Sequence, residues 1–276
     1  MKCLGCGTDM DPWLLEQKAT FHPGCLLGSP DTGGDPEGDE IRKQLIGMIR
    51  WASSNAPRSL QQAPGPSELG DLCDRRLGYK LAQVPSVNSF HDPWAATVGT
   101  AVHAWLENAM GAWQRAHRDD SWKTETAVKV DDFVSGHSDL YHNGVVIDYK
   151  TASPDKMKEY KKEVPAGYKV QGHLYGMGYE NAGLPVRKIA LFFLPRCGLL
   201  RNAHIWTADY DRTVAQAALD RMYGIAGTLV DLEVIANPHR WEQVPAHPSD
   251  SCGHCPWYDP DKILETGADD KGCPGR

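Results

Sequence analysis

Apolar and polar positions change their period several times along the chain, and each change marks an element. Ile41, Leu45, Ile46, Met48, Ile49 and Ala52 recur at helical spacing and predict an amphipathic helix over 41–52. Val102, Leu106 and Ala109 predict a second over 98–116. A short helix is expected over 67–80, and longer ones over 167–182 and 210–232. Ala127, Val128, Val130 and Phe133 alternate loosely and predict a strand over 125–135. Lys188 to Leu194 carries an almost unbroken apolar run, the mark of a buried strand. Pro195–Gly198 predicts a turn from it into another strand over 199–207. The stretches 28–40 and 53–66, rich in Gly and Pro, read as a linker and a loop.

One stretch breaks the pattern. Gly136 to Thr151 reads as a tight β-hairpin, with Asn143-Gly144 at a turn that needs positive φ. Val145-Val146-Ile147 is β-branched and apolar, as a buried strand requires. Asp139 then lies on one arm, and Asp148 and Lys150 lie on the other, two apart and therefore on one face. Charge in such a place is costly unless it is paired or holds a metal. Two helices offer further candidates. His103 and Glu107 are four apart on the first, and Gln171 and Tyr175 four apart on the second. Each pair alone is a common coincidence. Asp131 and Asp132 precede the hairpin and read as turn residues.

Composition narrows the classes. The 276 residues carry a net charge of −7, which argues against a passive nucleic-acid coat but leaves room for an enzyme with a local basic channel. Nine tryptophans are read first as core. No run of eighteen apolar residues predicts a membrane span, and Met1–Cys6 lacks the apolar region of a signal peptide, so a cytoplasmic protein is expected. In that compartment eight cysteines point to metal before disulfides.

The cysteines fall into two groups. Cys3-x2-Cys6, fifteen residues, then His22-x2-Cys25 is the spacing of a tetrahedral structural Zn²⁺ knuckle over 1–27. Its role stays open between DNA binding, partner binding and anchoring of the terminus. Cys252-x2-Cys255 and Cys273 lie near the other end, one ligand short of a self-contained site, and Cys73 is free to complete it. Around Cys73, Arg75, Arg76 and Lys80 form a basic cluster that reads first as a solvated face. Lys156–Glu163 divides evenly between an exposed helix and a phosphate-contacting rim.

Taken in order, a helical His, Gly136-x-x-Asp139, Asp148-x-Lys150 and Gln171-x-x-x-Tyr175 resemble the PD-(D/E)XK nuclease superfamily, in its RecB-like exonuclease branch. The resemblance spans about 67–276, preceded by the knuckle and by a linker with one helix over 28–66. It implies an α/β fold: a mixed central sheet flanked by helices. It implies Mg²⁺ or Mn²⁺ held by His103, Asp139, Asp148 and the carbonyl of Tyr149, with Lys150 acting on the attacking water and Gln171 and Tyr175 lining the site. Hard cations take such oxygen ligands. Glu107 is a candidate partner of His103. In the iron–sulfur members of the branch, one cysteine precedes the nuclease core and three follow it. That implies a [4Fe–4S] cluster on Cys73, Cys252, Cys255 and Cys273, with Zn²⁺ on the same thiolates as the alternative. The seventeen residues between Cys255 and Cys273 exceed the usual gap, so Cys197 and His254 are substitutes to weigh.

The expected activity is metal-dependent hydrolysis of DNA, exonucleolytic on single-stranded ends. Arg75, Arg76, Lys80, Gln171 and Tyr175 are the candidate DNA contacts, and a recombination protein is the candidate partner. Compact exonucleases of this kind outside CRISPR settings are similar to bacteriophage-encoded ones, which would place the protein in a host cytoplasm. The rival is a non-catalytic DNA-binding adaptor that uses the knuckle and keeps a decayed nuclease fold.

Overall fold

A computed structural model describes residues 36–56, 61–88, 92–249, 252–260 and 272–275. Cys3, Cys6, His22 and Cys25, and with them the expected zinc knuckle, lie outside the described residues. The chain divides into two units at Asn55–Ala56. In the first, helix α1 spans Pro36–Ser54, five residues earlier than its apolar pattern begins, with Glu37 and Asp39 in its first turn. Early acidic residues favour the positive end of a helix.

The second unit holds the sheet. Its elements in order are α2 (Pro66–Leu69), α3 (Asp74–Leu81), α4 (Trp94–His117), β1 (Trp122–Lys129), β2 (Ser135–His142), β3 (Val145–Ala152), α5 (Pro154–Tyr160), α6 (Ala166–Asn181), β4 (Lys188–Pro195), β5 (His204–Asp209) and α7 (Arg212–Asp231). The five strands lie in sequence order, β1 to β5. Only β3 and β4 pair in parallel, and the crossover between them carries α5 and α6. The other neighbours are antiparallel. The mixed α/β fold expected from the sequence is thus present.

Residues of alternate parity cover opposite faces of this sheet. Leu140, Tyr149 and Leu194 pack with Leu106 of α4. Val146, Tyr141 and Ile189 pack with Tyr175 and Tyr179 of α6. A larger core joins α2, α3, α6 and α7 to the C-terminal segment through Leu77, Tyr79, Leu174, Leu219, Trp241 and Trp257. Two helices therefore approach the central hairpin from its two faces.

Several boundaries differ from the sequence pattern. The 67–80 helix is two helices, broken at Gly70–Cys73, and Cys73 is the N-cap of the second. Strand β1 begins three residues early and ends at Lys129. Val130–Val134 is a turn in which Asp131 Oδ1 accepts the N–H groups of Phe133 and Val134. Phe133, read as a strand residue, is exposed there. Its neighbour supplies the turn's hydrogen bonds, and a local side-chain bond of that kind displaces the ladder. The expected 199–207 strand starts only at His204, because Leu200–Asn202 forms a single tight turn first.

Candidate active site

The hairpin turns at Asn143 and Gly144, with φ of 45° and 78°. Two successive positive values match the twist of the flanking strands. Backbone pairing runs only from His142↔Val145 to Leu140↔Ile147. Beyond it the two arms part, and the polar side chains occupy the opening. Asp139 Oδ2 accepts the N–H of Tyr149 at 2.6 Å, a bond from carboxylate to backbone where the ladder stops. Its Oδ1 lies 2.9 Å from Nδ1 of His103, which reaches in from α4.

Asp148 is 3% exposed. Lys150 Nζ lies 2.7 Å from its Oδ2, and Gln171 Nε2 donates to its Oδ1 at 2.9 Å. Lys150 also donates to Gln171 Oε1 at 2.9 Å, so the amide of Gln171 links acid and base in one ring of contacts. The Tyr175 hydroxyl lies 3.5 Å from Gln171 Nε2. The ring of Tyr168 lies 4.7 Å from Lys150 Nζ, a cation–π contact on the remaining side. Helix α6 thus sets the lysine with Tyr168 and Gln171, and Tyr175, one turn on, backs Gln171.

Electrostatics follow from this burial. Desolvation raises the Asp148 carboxyl, and the Asp139 charge adds to the rise, against the lowering effect of Lys150. Burial pulls the His103 imidazole down, but its bond to Asp139 and the charges of Asp139 and Asp148 outweigh that, so it is raised overall. The Tyr149 hydroxyl is raised by burial and by the Asp139 and Glu125 charges.

One residue escaped the sequence reading. His103, Glu125 and Asp139 each offer a ligand atom within 4.8 Å of the others. Glu125 sits in the middle of β1 at a φ of 42° and is skipped by the pairing between Thr124↔Leu140 and Thr126↔Ser138. A left-handed residue in a strand re-aims its side chain as a bulge does. Burial raises the Glu125 carboxyl, and the charges of Asp139 and Glu107 raise it further. The signal was a charge inside an alternating run, hidden because the strand was begun at 125. Glu107 itself is exposed on α4. An imidazole and two carboxylates suit Mg²⁺ or Mn²⁺, with Asp148 alongside.

The other candidates separate. Cys73, Cys252, Cys255 and Cys273 line a single cavity of about 490 Å³, which Lys150, Tyr168 and Gln171 also line. Sulfurs of three of them accept backbone N–H groups at 3.4 Å: Cys73 from His247, Cys252 from Ser249, Cys273 from Gly275. Burial pushes the Cys255 thiol up, with Cys273 and Cys73 adding to the rise and Arg76 opposing it. Four thiols around one space are the donor type of a thiolate-bound group, though among the described residues the ligand atoms that lie within 4.8 Å of one another are those of His103, Glu125 and Asp139, not the sulfurs. Cys197 and His254 are exposed and do not line the cavity.

The basic cluster is not one solvated face. Arg75 is buried, with its guanidinium on the carbonyls of Val244 and Glu242. Arg76 is paired with Asp71 at 2.7 Å beside the cavity. Lys80 donates to the carbonyl of Gln61, away from it. Adjacent helix positions diverge by about 100°, which sends Arg75 inward and Arg76 outward, while Lys80, one turn on from Arg76, is drawn aside by its own partner at Gln61. On α5, Lys156 pairs with Glu159 and Lys158 with Asp155 in exposed pairs.

No family model matches the chain, and no curated protein matches it. Solved structures do. A phage-related exonuclease from Haemophilus somnus is 14% identical over 55% of this chain and 77% of its own, with a TM-score of 0.39. An alkaline exonuclease from Laribacter hongkongensis, LHK-Exo, is 9% identical over 64% of this chain and 95% of its own, at 0.37. The structure of LHK-Exo in complex with dAMP scores 0.41 at 9% identity, over 66% of this chain and 93% of that one. The functional reading rests on the side chains described above. Among the described residues no helix is long and apolar enough to cross a membrane.

Proposed function

We propose that the protein is a metal-dependent nuclease of the PD-(D/E)XK type that hydrolyses DNA phosphodiesters, acting as an exonuclease on single-stranded ends. The observation that carries the reading is the convergence of Asp139, Asp148 and Lys150 at the parted arms of one hairpin, met by His103 from one helix and Gln171 from another. An adaptor that only binds DNA has no use for a buried acid–lysine pair beside a histidine–carboxylate cluster.

When bound, Mg²⁺ or Mn²⁺ lowers the pKa of a water and offsets charge developing at phosphorus. His103, Glu125, Asp139 and Asp148 would hold it, together with the carbonyl of Tyr149 that the family resemblance implies. The protein's own groups do the rest. The bonds from His103 and from Tyr149 N–H fix both oxygens of Asp139. Gln171 fixes the distance between Asp148 and Lys150. Lys150, held by its neighbours, is placed to orient a water and to face a phosphate oxygen. Tyr168 lines the cavity beside Lys150, and Tyr175, buried behind Gln171, holds that amide from the core side. The four thiols are read as ligands of a [4Fe–4S] cluster, or of Zn²⁺, that ties the start of the domain to its end.

The test is direct. Wild type with Mn²⁺ should degrade end-labelled single-stranded DNA, while Asp148→Ala and Lys150→Ala should lose at least about a hundredfold in rate. Equal rates in all three proteins would leave the adaptor reading standing.

A further inference from the structure

We propose that Arg75 is a positioning residue for the Cys273 sulfur, and that its buried guanidinium is what recruits this distant cysteine to the group the four thiols hold. The inference rests on reading those thiols as a metal or cluster site.

Arg75 is 3% exposed. Its Nε donates to the Val244 carbonyl at 2.8 Å and its Nη2 to the Glu242 carbonyl at 3.1 Å. Its own N–H donates to the Pro245 carbonyl at 2.8 Å. These bonds fix the planar fork, and the remaining nitrogen, Nη1, points at Cys273 Sγ, 3.6 Å away. The cysteine is fixed as firmly. Its N–H donates to the Trp257 carbonyl at 2.6 Å, and its carbonyl accepts from Asp259 N–H at 2.8 Å. One residue earlier, the Gly272 carbonyl accepts the Tyr79 hydroxyl of α3 at 2.8 Å.

The sulfur therefore receives two donors, the guanidinium and the N–H of Gly275. Two fixed donors hold the sulfur in one position and one orientation toward the cavity that the four cysteines line. This accounts for a ligand separated from its neighbour by seventeen residues. The gap along the chain is irrelevant once α3 itself holds the sulfur in place, through a residue two positions after Cys73, the helix N-cap.

The experiment uses the full chain purified without oxygen. Bound iron, sulfide and zinc are measured, and release of the metal to a chromogenic chelator is timed. Arg75→Gln should release it about tenfold faster than wild type, the usual scale for a lost partner of a ligand. Arg75→Lys, which keeps the charge and loses the fork, should fall between. Cys273→Ser should also speed release, and adding Arg75→Gln to it should change nothing further, because the two act through one contact. Equal acceleration by Arg75→Gln in both backgrounds would assign Arg75 to the fold alone and overturn the proposal. So would a wild-type rate in Arg75→Gln. Wild type without metal would overturn the reading of the cysteines, and this inference with it. If Arg75→Gln does not fold, Arg75→Lys carries the same comparison in the same two backgrounds.

Discussion

The hairpin and the cysteine cavity assemble in opposite ways. At the hairpin, Tyr149 and Asp139 are ten residues apart, and the turn alone brings their strands together. At the cavity, Arg75 and Cys273 are 198 residues apart, and nothing local predisposes them to meet. The first site is a property of two adjacent strands, and it needs helices only to finish it. The second exists only when α3, the segment after α7 and the C-terminal residues are packed. Yet residues of both line one cavity. Between them lies a backbone contact: Gly70, three residues before Cys73, touches Gly167, four residues before Gln171.

That contact is where the comparison breaks most readily. A Cβ at Gly70 would overlap the carbonyl oxygen of Gly167, and one at Gly167 would lie 2.6 Å from the Gly70 oxygen. Backbone on both sides leaves nothing flexible to yield. Gly70→Ala should cost about 1–3 kcal/mol in denaturant unfolding and lower nuclease rate and metal retention together. Loss of metal retention with an unchanged nuclease rate would show the hairpin to be independent of the cavity.

A smaller effect sharpens the local side. Glu125→Gln should weaken Mn²⁺ binding by about tenfold, on the scale of lost ligand interactions, and leave the thermal midpoint nearly unchanged. Titration calorimetry reads it, and wild-type affinity would remove Glu125 from the metal centre.

The smallest expected effect is protonic. His103 and Glu125 are both raised above their ordinary values, so protons compete with a cation for them. Metal binding should tighten as pH rises from about 5.5 to 7.5 and should release protons. Calorimetry in two buffers of different ionisation enthalpy measures that release, and a pH-independent affinity would contradict the assignment of these ligands.

How much of this was legible depends on distance along the chain. The hairpin was visible because a two-residue turn and a period of two are local properties, and because charges inside a β-branched run stand out. His103, Gln171 and Tyr175 were visible only through their order relative to the hairpin. Glu125 was lost to a strand boundary placed three residues late, since a loose alternation does not mark its own start. The basic residues at 75, 76 and 80 were misjudged for a similar reason. Sequence proximity suggests a common face, but rotation buries Arg75 against the C-terminal segment, and different partners, Asp71 and the Gln61 carbonyl, take Arg76 and Lys80.

By itself, the sequence determined the buried strand over 188–194, the hairpin turn and the acids and lysine upon the hairpin, because short-range sterics and side-chain period dictate those. It also named the four cysteines by type and count. Only the tertiary structure decided that Asp139 takes a backbone N–H where the ladder parts, that Glu125 turns inward, and that Arg75 faces Cys273. Each of these depends on where a buried polar group finds its partner, and that partner is supplied by packing between elements far apart in the chain.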